Sequence, residues 1–90
     1  MANVNLGVVR NAQTVCMGAI QDLNSLAEKL KNRYQQAGQR WKDKKYEQLG
    51  SIVNECTTAL REPINALFDS VKTLEGFEKA LQEYEETNLG

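Results

Sequence analysis

Apolar residues recur at alternating steps of three and four along most of this 90-residue chain. The segment from about residue 5 to residue 37 lacks proline, and its apolar positions fall on one helical face. These positions are Val9, Ala12, Cys16, Ala19, Leu23, Leu26 and Leu30. This heptad spacing is typical of a helix that packs against another helix. We therefore predict a first helix of roughly thirty residues, about 50 Å long at 1.5 Å per residue.

The second half of the chain repeats the same spacing. Its apolar positions are Tyr46, Leu49, Val53, Cys56, Leu60, Ile64, Leu67, Val71, Leu74, Phe77, Leu81 and Tyr84. Pro63 lies inside this run, but the apolar positions stay in phase across it. We therefore predict one kinked helix over about 43–87. A break between Glu62 and Pro63, with the proline in the first turn of a new helix, is the alternative.

The segment between the two helices is short and carries turn signals. Gly38 is placed to end the first helix in a left-handed conformation. Asp43 is placed to cap the N-terminus of the second helix. A turn of about residues 38–42 between two long helices predicts an antiparallel hairpin. The predicted fold is all-α, and residues 1–90 form one helical-hairpin domain.

The apolar stripe is wider than the seam that two helices share. Further apolar residues lie beside it: Val8, Val15, Ile20, Ala27, Ile52, Phe68 and Phe77. Each large side chain left in water forgoes roughly 1.5–3 kcal/mol. We therefore expect dimerisation into a four-helix bundle, with a second copy or a paralogous hairpin. A monomer folded back on itself and docking on a larger protein are the alternatives.

The interface of this bundle is predicted from the seam positions of both helices. They are Cys16, Ala19, Leu23, Leu26, Leu30, Val53, Leu60, Ile64, Leu67, Val71 and Leu74. The two cysteines are expected to be reduced core residues. They differ by roughly 12 Å along the hairpin axis, which argues against an intrachain disulfide and leaves an interchain bridge open.

Histidine is absent from the sequence, which excludes histidine-based acid–base catalysis and histidine-containing metal sites. Glu83, Glu85 and Glu86 cluster on one helix end without a second element to form a cleft. We therefore expect no enzyme activity, no cofactor and no metal. No apolar run exceeds three residues, and the N-terminus lacks the pattern of a signal peptide. Neither a membrane span nor a cleaved leader is therefore expected.

Charge is uneven along a chain whose net charge is only −1. Residues 28–45 have a balance of +5, and residues 46–90 have a balance of −6. Solvated helix faces with compensated dipoles account for this asymmetry, and a basic partner-docking turn is the alternative. Nucleic-acid binding is a third interpretation, in which Tyr34, Trp41 and Tyr46 stack on bases. Seven cations on an acidic chain make it the least favoured.

Trp41 lies in the turn between the helices, and two further positions accompany it. Asp43 follows two residues later, and Leu49 supplies a bulky apolar residue eight positions after the tryptophan. In this arrangement the chain resembles the small Trp-x-Gly proteins of type VII (ESX-like) secretion, with Asp43 in place of the motif glycine. The family's C-terminal export signal is a tyrosine followed four residues later by an acid. Here Tyr84 is followed at that spacing by Asn88.

The resemblance implies a non-catalytic hairpin that acts by dimerisation and protein–protein recognition. It implies a cytoplasmic pool that is secreted without a cleaved signal peptide. The expected partners are a second or paralogous hairpin, a larger secreted toxin or the secretion ATPase. Trp41 then serves as a surface anchor or closes the end of the core, and Tyr84 contributes to C-terminal recognition. A cytosolic coiled-coil adaptor without a secretion role is the alternative function.

Overall fold

The computed structural model describes residues 5–89, which contain two helices and no strand. Helix α1 spans Leu6–Ala37, and helix α2 spans Lys44–Leu89. The predicted all-α helical hairpin is confirmed. Neither helix combines the length and the hydrophobicity that crossing a bilayer requires, within the described range.

A polar side chain caps the N-terminus of each helix. The amide of Val8 donates a hydrogen bond to Asn5 Oδ1 at 3.0 Å, and the amide of Tyr46 donates one to Asp43 Oδ1 at 3.0 Å. Amides of the first helical turn have no partner within the helix, so these carboxyl and amide oxygens satisfy them. The sequence predicted the cap at Asp43, and the structure contains it.

Helix α2 continues through Pro63 as a single element. The expected single helix is present, and a break at Glu62–Pro63 is not. Proline has no amide hydrogen, so the carbonyl of Ala59 lacks its usual intrahelical donor. Both residues are exposed, which leaves that carbonyl accessible to water. The helix therefore continues through the proline with one intrahelical hydrogen bond fewer.

The chain divides into two compact units. The terminal unit comprises Met1–Ile20 and Ala66–Gly90, of which residues 5–20 and 66–89 are described, and the turn unit comprises Gln21–Asn65. The buried residues described in the terminal unit are Val9, Ile20 and Val71, and those of the turn unit are Gly38, Val53, Thr57 and Ile64. Each unit therefore has a thin core between one segment of α1 and one segment of α2.

Ile20 corrects the sequence analysis. The heptad assignment placed it beside the seam, but it is the most buried of the core residues, with 2% of its surface exposed. Leu26, assigned to the seam, is exposed instead. An α-helix has 3.6 residues per turn, so a strict 3.5-residue repeat drifts around the helix over four or five turns. At Leu26, nearly five turns after Val9, the heptad position therefore no longer coincides with the side of α1 that faces α2.

Candidate interaction surface

Two tyrosines, one from each helix, stack at the turn. The rings of Tyr34 and Tyr46 have centroids 4.2 Å apart and planes within 5° of parallel. Tyr34 lies one turn before the end of α1, and Tyr46 lies in the first turn of α2. The pair therefore joins the two helices at their connected ends, and we refer to it as the tyrosine pair.

Each tyrosine also donates a hydrogen bond to the backbone of the other. The Tyr34 hydroxyl donates to the Tyr46 carbonyl at 3.1 Å, and the Tyr46 hydroxyl donates to the Tyr34 carbonyl at 2.9 Å. Burial, followed by the hydrogen bond with Tyr46, raises the pKa of Tyr34 above 10.0. Each tyrosine hydroxyl therefore has a hydrogen-bond acceptor on the opposite helix. The pair fixes both the distance between the two helices at the turn and the orientation of the two rings.

Two glycines make room for these hydroxyl groups. A Cβ built on Gly50 would overlap the Tyr34 hydroxyl and lie 2.7 Å from its Cζ atom. A Cβ built on Gly38 would overlap the Tyr46 hydroxyl and lie 2.6 Å from its Cζ atom. These separations are well inside van der Waals contact. Glycine is therefore required at both positions by close approach of a ring.

The role of Gly38 differs from the one predicted. We expected a left-handed glycine that ends α1, but no glycine among the described residues has a positive φ. Instead, the amides of Gly38 and Trp41 donate to the carbonyls of Tyr34 and Ala37 in α-turn geometry. The helix ends because its chain turns toward α2, and Gly38 is there to accommodate the Tyr46 ring.

The sequence contained a signal for this arrangement. Tyr34 precedes Gly38 by four residues, and Tyr46 precedes Gly50 by four residues. The Tyr-x-x-x-Gly pattern thus occurs twice, on the two sides of the turn. The spacing of apolar residues accounts for both tyrosines as members of the apolar stripe, and it does not predict that their rings contact Gly38 and Gly50. Reading the two patterns as a pair would have predicted the contact.

Trp41 is held beside the tyrosine pair and is partly exposed. Its ring centroid lies 5.8 Å from that of Tyr46 at an angle of 57°, and 38% of its surface is accessible. Hydrogen bonding from the Trp41 indole, together with that from the Tyr46 amide, lowers the pKa of the Asp43 carboxyl. Asp43 therefore caps α2 with its carboxylate, a role that a glycine at this position could not perform.

Cations surround Trp41 on the surface of the turn. Arg40, Lys42, Lys44 and Lys45 are all exposed, and Asp43 is the only acid among them. Residues 39–45 therefore carry a net charge of +3 around a fixed, partly exposed indole. Such a surface can contact an acidic partner through charge and through the aromatic ring.

The turn unit has an exposed apolar face besides its core. Leu26 and Ile52 have 55% and 56% of their surfaces exposed. Cys56, Ala59 and Pro63 continue the face along α2 and are exposed as well. Each of these residues immediately precedes one that points inward, as Ile52 precedes the buried Val53. One residue is about 100° of helical rotation, so the face lies roughly a quarter-turn from the core.

The terminal unit has a face of the same construction. Val8, Val15 and Phe77 are exposed by 54%, 64% and 56%. Val8 immediately precedes the buried Val9, and Phe77 immediately precedes Glu78, which faces α1. The offset from core to exposed residue is therefore the same one-residue step in both units.

This common step places the exposed residues of both helices on one side. Within each unit the two helices are antiparallel and face each other. In each helix, the residue just before an inward-pointing residue is rotated by about 100° around the helix axis. Because the two helices run in opposite directions, this rotation brings the preceding residues of both helices to the same side of the pair. We call this side of each unit its open face. In the terminal unit, the opposite side presents Met17 and Phe68 as exposed large apolar residues.

The accessible surface of the chain is large for its mass. A compact monomer of 10.1 kDa exposes roughly 5,300 Å², whereas this chain exposes 7237 Å². The surplus of roughly 1,900 Å² exceeds the 800 Å² or so that one partner contributes to a standard specific interface. The open face of each unit has the apolar content of an association surface.

An ion pair links the two helices within the described part of the terminal unit. Arg10 Nε donates to Glu78 Oε2 at 2.6 Å. The guanidinium of Arg10 holds the pKa of the Glu78 carboxyl below its usual value. Because both side chains reach solvent, the contribution of this pair to stability is small.

The other predicted positions divide between the core and the surface. Val53, Ile64 and Val71 are buried. Several seam residues are half-buried between the helices, namely Cys16, Ala19, Leu23, Leu30, Leu60, Leu67 and Leu74. Leu49 is half-buried as well. Tyr84 is exposed over 66% of its surface, and both cysteines are free.

No three His, Cys, Asp or Glu side chains in residues 5–89 are grouped so that they could hold a metal ion. The features that stand out are the tyrosine pair, the basic turn and the open face, all of which are suited to contact with other macromolecules. Comparison of the chain with known protein families, with curated proteins and with solved structures gives no match.

Proposed function

We propose that this protein is a non-catalytic helical hairpin that acts by association, burying its open face on a second helical hairpin in a four-helix bundle. The observation that carries the proposal is the exposure of large apolar residues on one side of each unit, Val8, Val15 and Phe77 in the terminal unit and Leu26 and Ile52 in the turn unit. Transfer of each such side chain from water contributes roughly 1.5–3 kcal/mol. A second hairpin packed on the open face would remove these side chains from water.

The mass of the chain in solution tests association. We expect light scattering after size exclusion to give about twice 10.1 kDa at micromolar concentration. Leu26→Glu with Ile52→Glu places two charges on the open face and should yield a monomer. Met17→Glu with Phe68→Glu places the same charges on the opposite side and should leave the dimer intact. A wild-type chain that stays monomeric at all concentrations contradicts the homodimer.

We further propose that the hairpin works in type VII secretion, as a substrate or as a targeting partner of a larger secreted protein. The support is the resemblance at Trp41 and Leu49 together with the hairpin fold. In this role Trp41 and the basic turn, or the C-terminal segment around Tyr84, are the surfaces that the secretion machinery contacts. The chain then resides in the cytoplasm before export and needs no cleaved signal peptide.

Export is tested in a bacterium with an active type VII system. An epitope-tagged chain should accumulate in the medium, and Trp41→Ala or Tyr84→Ala should reduce that amount while the cellular amount stays constant. Inactivation of the secretion ATPase should abolish export. Retention of the wild-type chain in the cell contradicts the secretion role.

A cytosolic coiled-coil adaptor is the second candidate function. The observations that favour it are Asp43 at the motif glycine position and Asn88 in place of the acid after Tyr84. An adaptor would dimerise through the same open face and would stay in the cell. The two experiments above therefore separate the candidates, because the first examines association and the second examines export.

A further inference from the structure

The turn unit contains a cleft between its two helices, on the side away from its open face. The volume of this cleft is about 390 Å³, which lies within the range of small-molecule sites. All of the residues that line it belong to the turn unit. We refer to it as the polar cleft, and it uses no residue of the open face, the tyrosine pair or the basic turn.

Small side chains create the floor of the polar cleft. Ala27 of α1 and Thr57 of α2 line it, together with Ile64. Leucines occupy the inward positions one turn before and one turn after the alanine, Leu23 and Leu30. An alanine and a threonine leave space that leucines would fill, so the helices enclose a gap at this level. Thr57 and Ile64 are 7% and 9% exposed, so the gap reaches the core of the unit.

Polar side chains form the walls of the polar cleft. Asn24, Glu28 and Lys31 come from α1, and Arg61 comes from α2. Each of them immediately follows a half-buried residue, as Glu28 follows Ala27. This step rotates them about 100° from the inward direction, in the sense opposite to the rotation that produces the open face. Both helices therefore present polar groups to the same opening.

The charged groups of the polar cleft are not paired with one another. In the terminal unit, Arg10 and Glu78 come from facing helices and bond directly at 2.6 Å. Glu28 and Arg61 also come from facing helices, but within residues 5–89 the ion pair at 4.0 Å or less is that of the terminal unit. Lys31 is outside ion-pair distance for the same reason. Two cations and one carboxylate are therefore available to a ligand.

The uncharged groups of the polar cleft extend this pattern. The Thr57 hydroxyl donates its hydrogen to the Asn54 carbonyl at 3.0 Å, so only its oxygen remains, as an acceptor. The Asn24 amide offers both a donor and an acceptor. Glu28 and Thr57 are thus acceptors suited to an ammonium group, and the two cations are donors suited to carboxylates.

We propose that the polar cleft binds a small anionic zwitterion with two carboxylates and one ammonium group, the charge pattern of an acidic α-amino acid. Lys31 and Arg61 each donate to one carboxylate, and Glu28 accepts from the ammonium group. The three side chains have a net charge of +1, which balances the charge of such a ligand. A simple anion would instead oppose the Glu28 carboxylate with a like charge.

Binding would join the two helices of the turn unit by charge. Glu28 and Lys31 hold the ligand from α1, and Arg61 holds it from α2, as the direct ion pair does in the terminal unit. A ligand bound only by the folded chain stabilises that chain. The stability of the turn unit therefore responds to the concentration of the amino acid. The site does not depend on the proposed association, because it uses no part of the open face.

Titration of the full chain with L-glutamate at constant ionic strength tests the site. We expect the amide NMR resonances of Ala27, Thr57 and Ile64 to shift saturably, with a dissociation constant of about 1 mM. Glutarate has both carboxylates but no ammonium group, and it should bind about tenfold more weakly. Shifts that do not saturate overturn the proposal. Glutarate or inorganic phosphate that binds as tightly as glutamate overturns it as well.

Removal of each cation tests the carboxylate contacts. Lys31→Gln and Arg61→Gln should each raise the dissociation constant for glutamate by about tenfold. Lys29→Gln is the matched control, since it removes the same charge from α1 outside the cleft, and it should leave the constant within about twofold. All three positions are exposed, so circular dichroism should stay unchanged. Wild-type affinity in the Arg61→Gln chain overturns the proposal.

Removal of the acid tests the ammonium contact, because it should change selectivity. Glu28→Gln should reduce the preference for glutamate over glutarate from about tenfold to about parity. Glu55→Gln removes a carboxylate from an exposed position of α2 outside the cleft, and it should keep the preference. A preference that survives Glu28→Gln overturns the assignment of the ammonium group to this carboxylate.

Discussion

The turn unit and the terminal unit both bury few residues, but different interactions hold them. In the turn unit a buried threonine and a stacked, hydrogen-bonded tyrosine pair join the helices. In the terminal unit Val9, Ile20 and Val71 form the core, and one solvent-exposed ion pair accompanies them. Directional contacts are lost abruptly when geometry changes, whereas apolar packing is lost in proportion to the atoms removed.

Thr57 illustrates the difference at the level of one side chain. It is buried in the turn unit, whereas the buried residues described in the terminal unit are all aliphatic. Its hydroxyl donates to the Asn54 carbonyl at 3.0 Å, one turn earlier in the same helix. A buried hydroxyl without such an acceptor would be costly. The turn unit thus tolerates polarity in its core because local backbone satisfies it.

The largest expected effect is in the terminal unit. Ile20→Ala removes most of a side chain that is 98% inaccessible and should lower the free energy of unfolding by about 2–4 kcal/mol. Met17→Ala, in the same helix but exposed, should change it by less than about 0.5 kcal/mol. Urea unfolding followed by circular dichroism measures both. Equal effects would mean that the terminal unit does not depend on its apolar core.

Gly50→Ala should produce the next largest effect, in the turn unit. Alanine is favoured over glycine within a helix by roughly 0.5–1 kcal/mol, but here its Cβ would overlap the Tyr34 hydroxyl. We expect a net loss of about 1–3 kcal/mol. Gly18→Ala and Gly76→Ala are matched controls, since a Cβ at either position meets nothing within 4 Å. Both controls should stabilise the chain, and stabilisation by Gly50→Ala would contradict the close approach.

Tyr34→Phe should have a smaller effect than Gly50→Ala, because it removes one hydrogen bond and keeps the stacked ring. It should also partly rescue Gly50→Ala, since it deletes the oxygen that the new methyl group meets. The raised pKa of Tyr34 adds a pH signature. Stability should be complete below pH 10.0 and fall as the pH rises through the Tyr34 pKa in the folded chain. Tyr34→Phe should remove part of that alkaline loss in unfolding measured across the pH range.

The smallest expected effect concerns the ion pair of the terminal unit. The lowered pKa of Glu78 means that the unfolded chain binds its proton more readily. The stabilisation is therefore present above pH 4.5 and is lost as the pH falls through the Glu78 pKa in the folded chain. Glu78→Gln should abolish this part of the acid dependence and hardly change stability at neutral pH. Thermal unfolding at several pH values checks this, and a large neutral-pH loss would contradict it.

Periodicity predicted most of the fold and less of the surface. Alternating three- and four-residue steps determined the helices, and the short turn determined the hairpin, because burial of an apolar stripe depends on spacing alone. The exchange of Ile20 and Leu26 between core and surface escaped prediction, because helical drift accumulates beyond the accuracy of a heptad count.

The tyrosine pair escaped prediction for another reason. A tyrosine fits within an apolar stripe, and Gly38 fits the role of a residue that ends a helix. Each residue type was therefore explained by its own helix, without a contact across the turn. Only their combination across the turn requires two rings and two glycines. The open face was predictable as excess apolar width, but its restriction to one side depends on the inward direction of each helix. The structure supplies that direction.

The reciprocal placement of two rings over two glycines also sets the alignment of the helices to a single value. Sliding α1 by one helical turn along α2 would move the Tyr34 hydroxyl from Gly50 toward Tyr46 or Asn54, both of which carry side chains. The Tyr46 hydroxyl would likewise leave Gly38. Loops usually accept insertions and deletions, but in this connection a change of length would separate both rings from their glycines. The number of residues between the helices is thus fixed by the tyrosine pair, and it determines where Trp41 and the cations beside it lie.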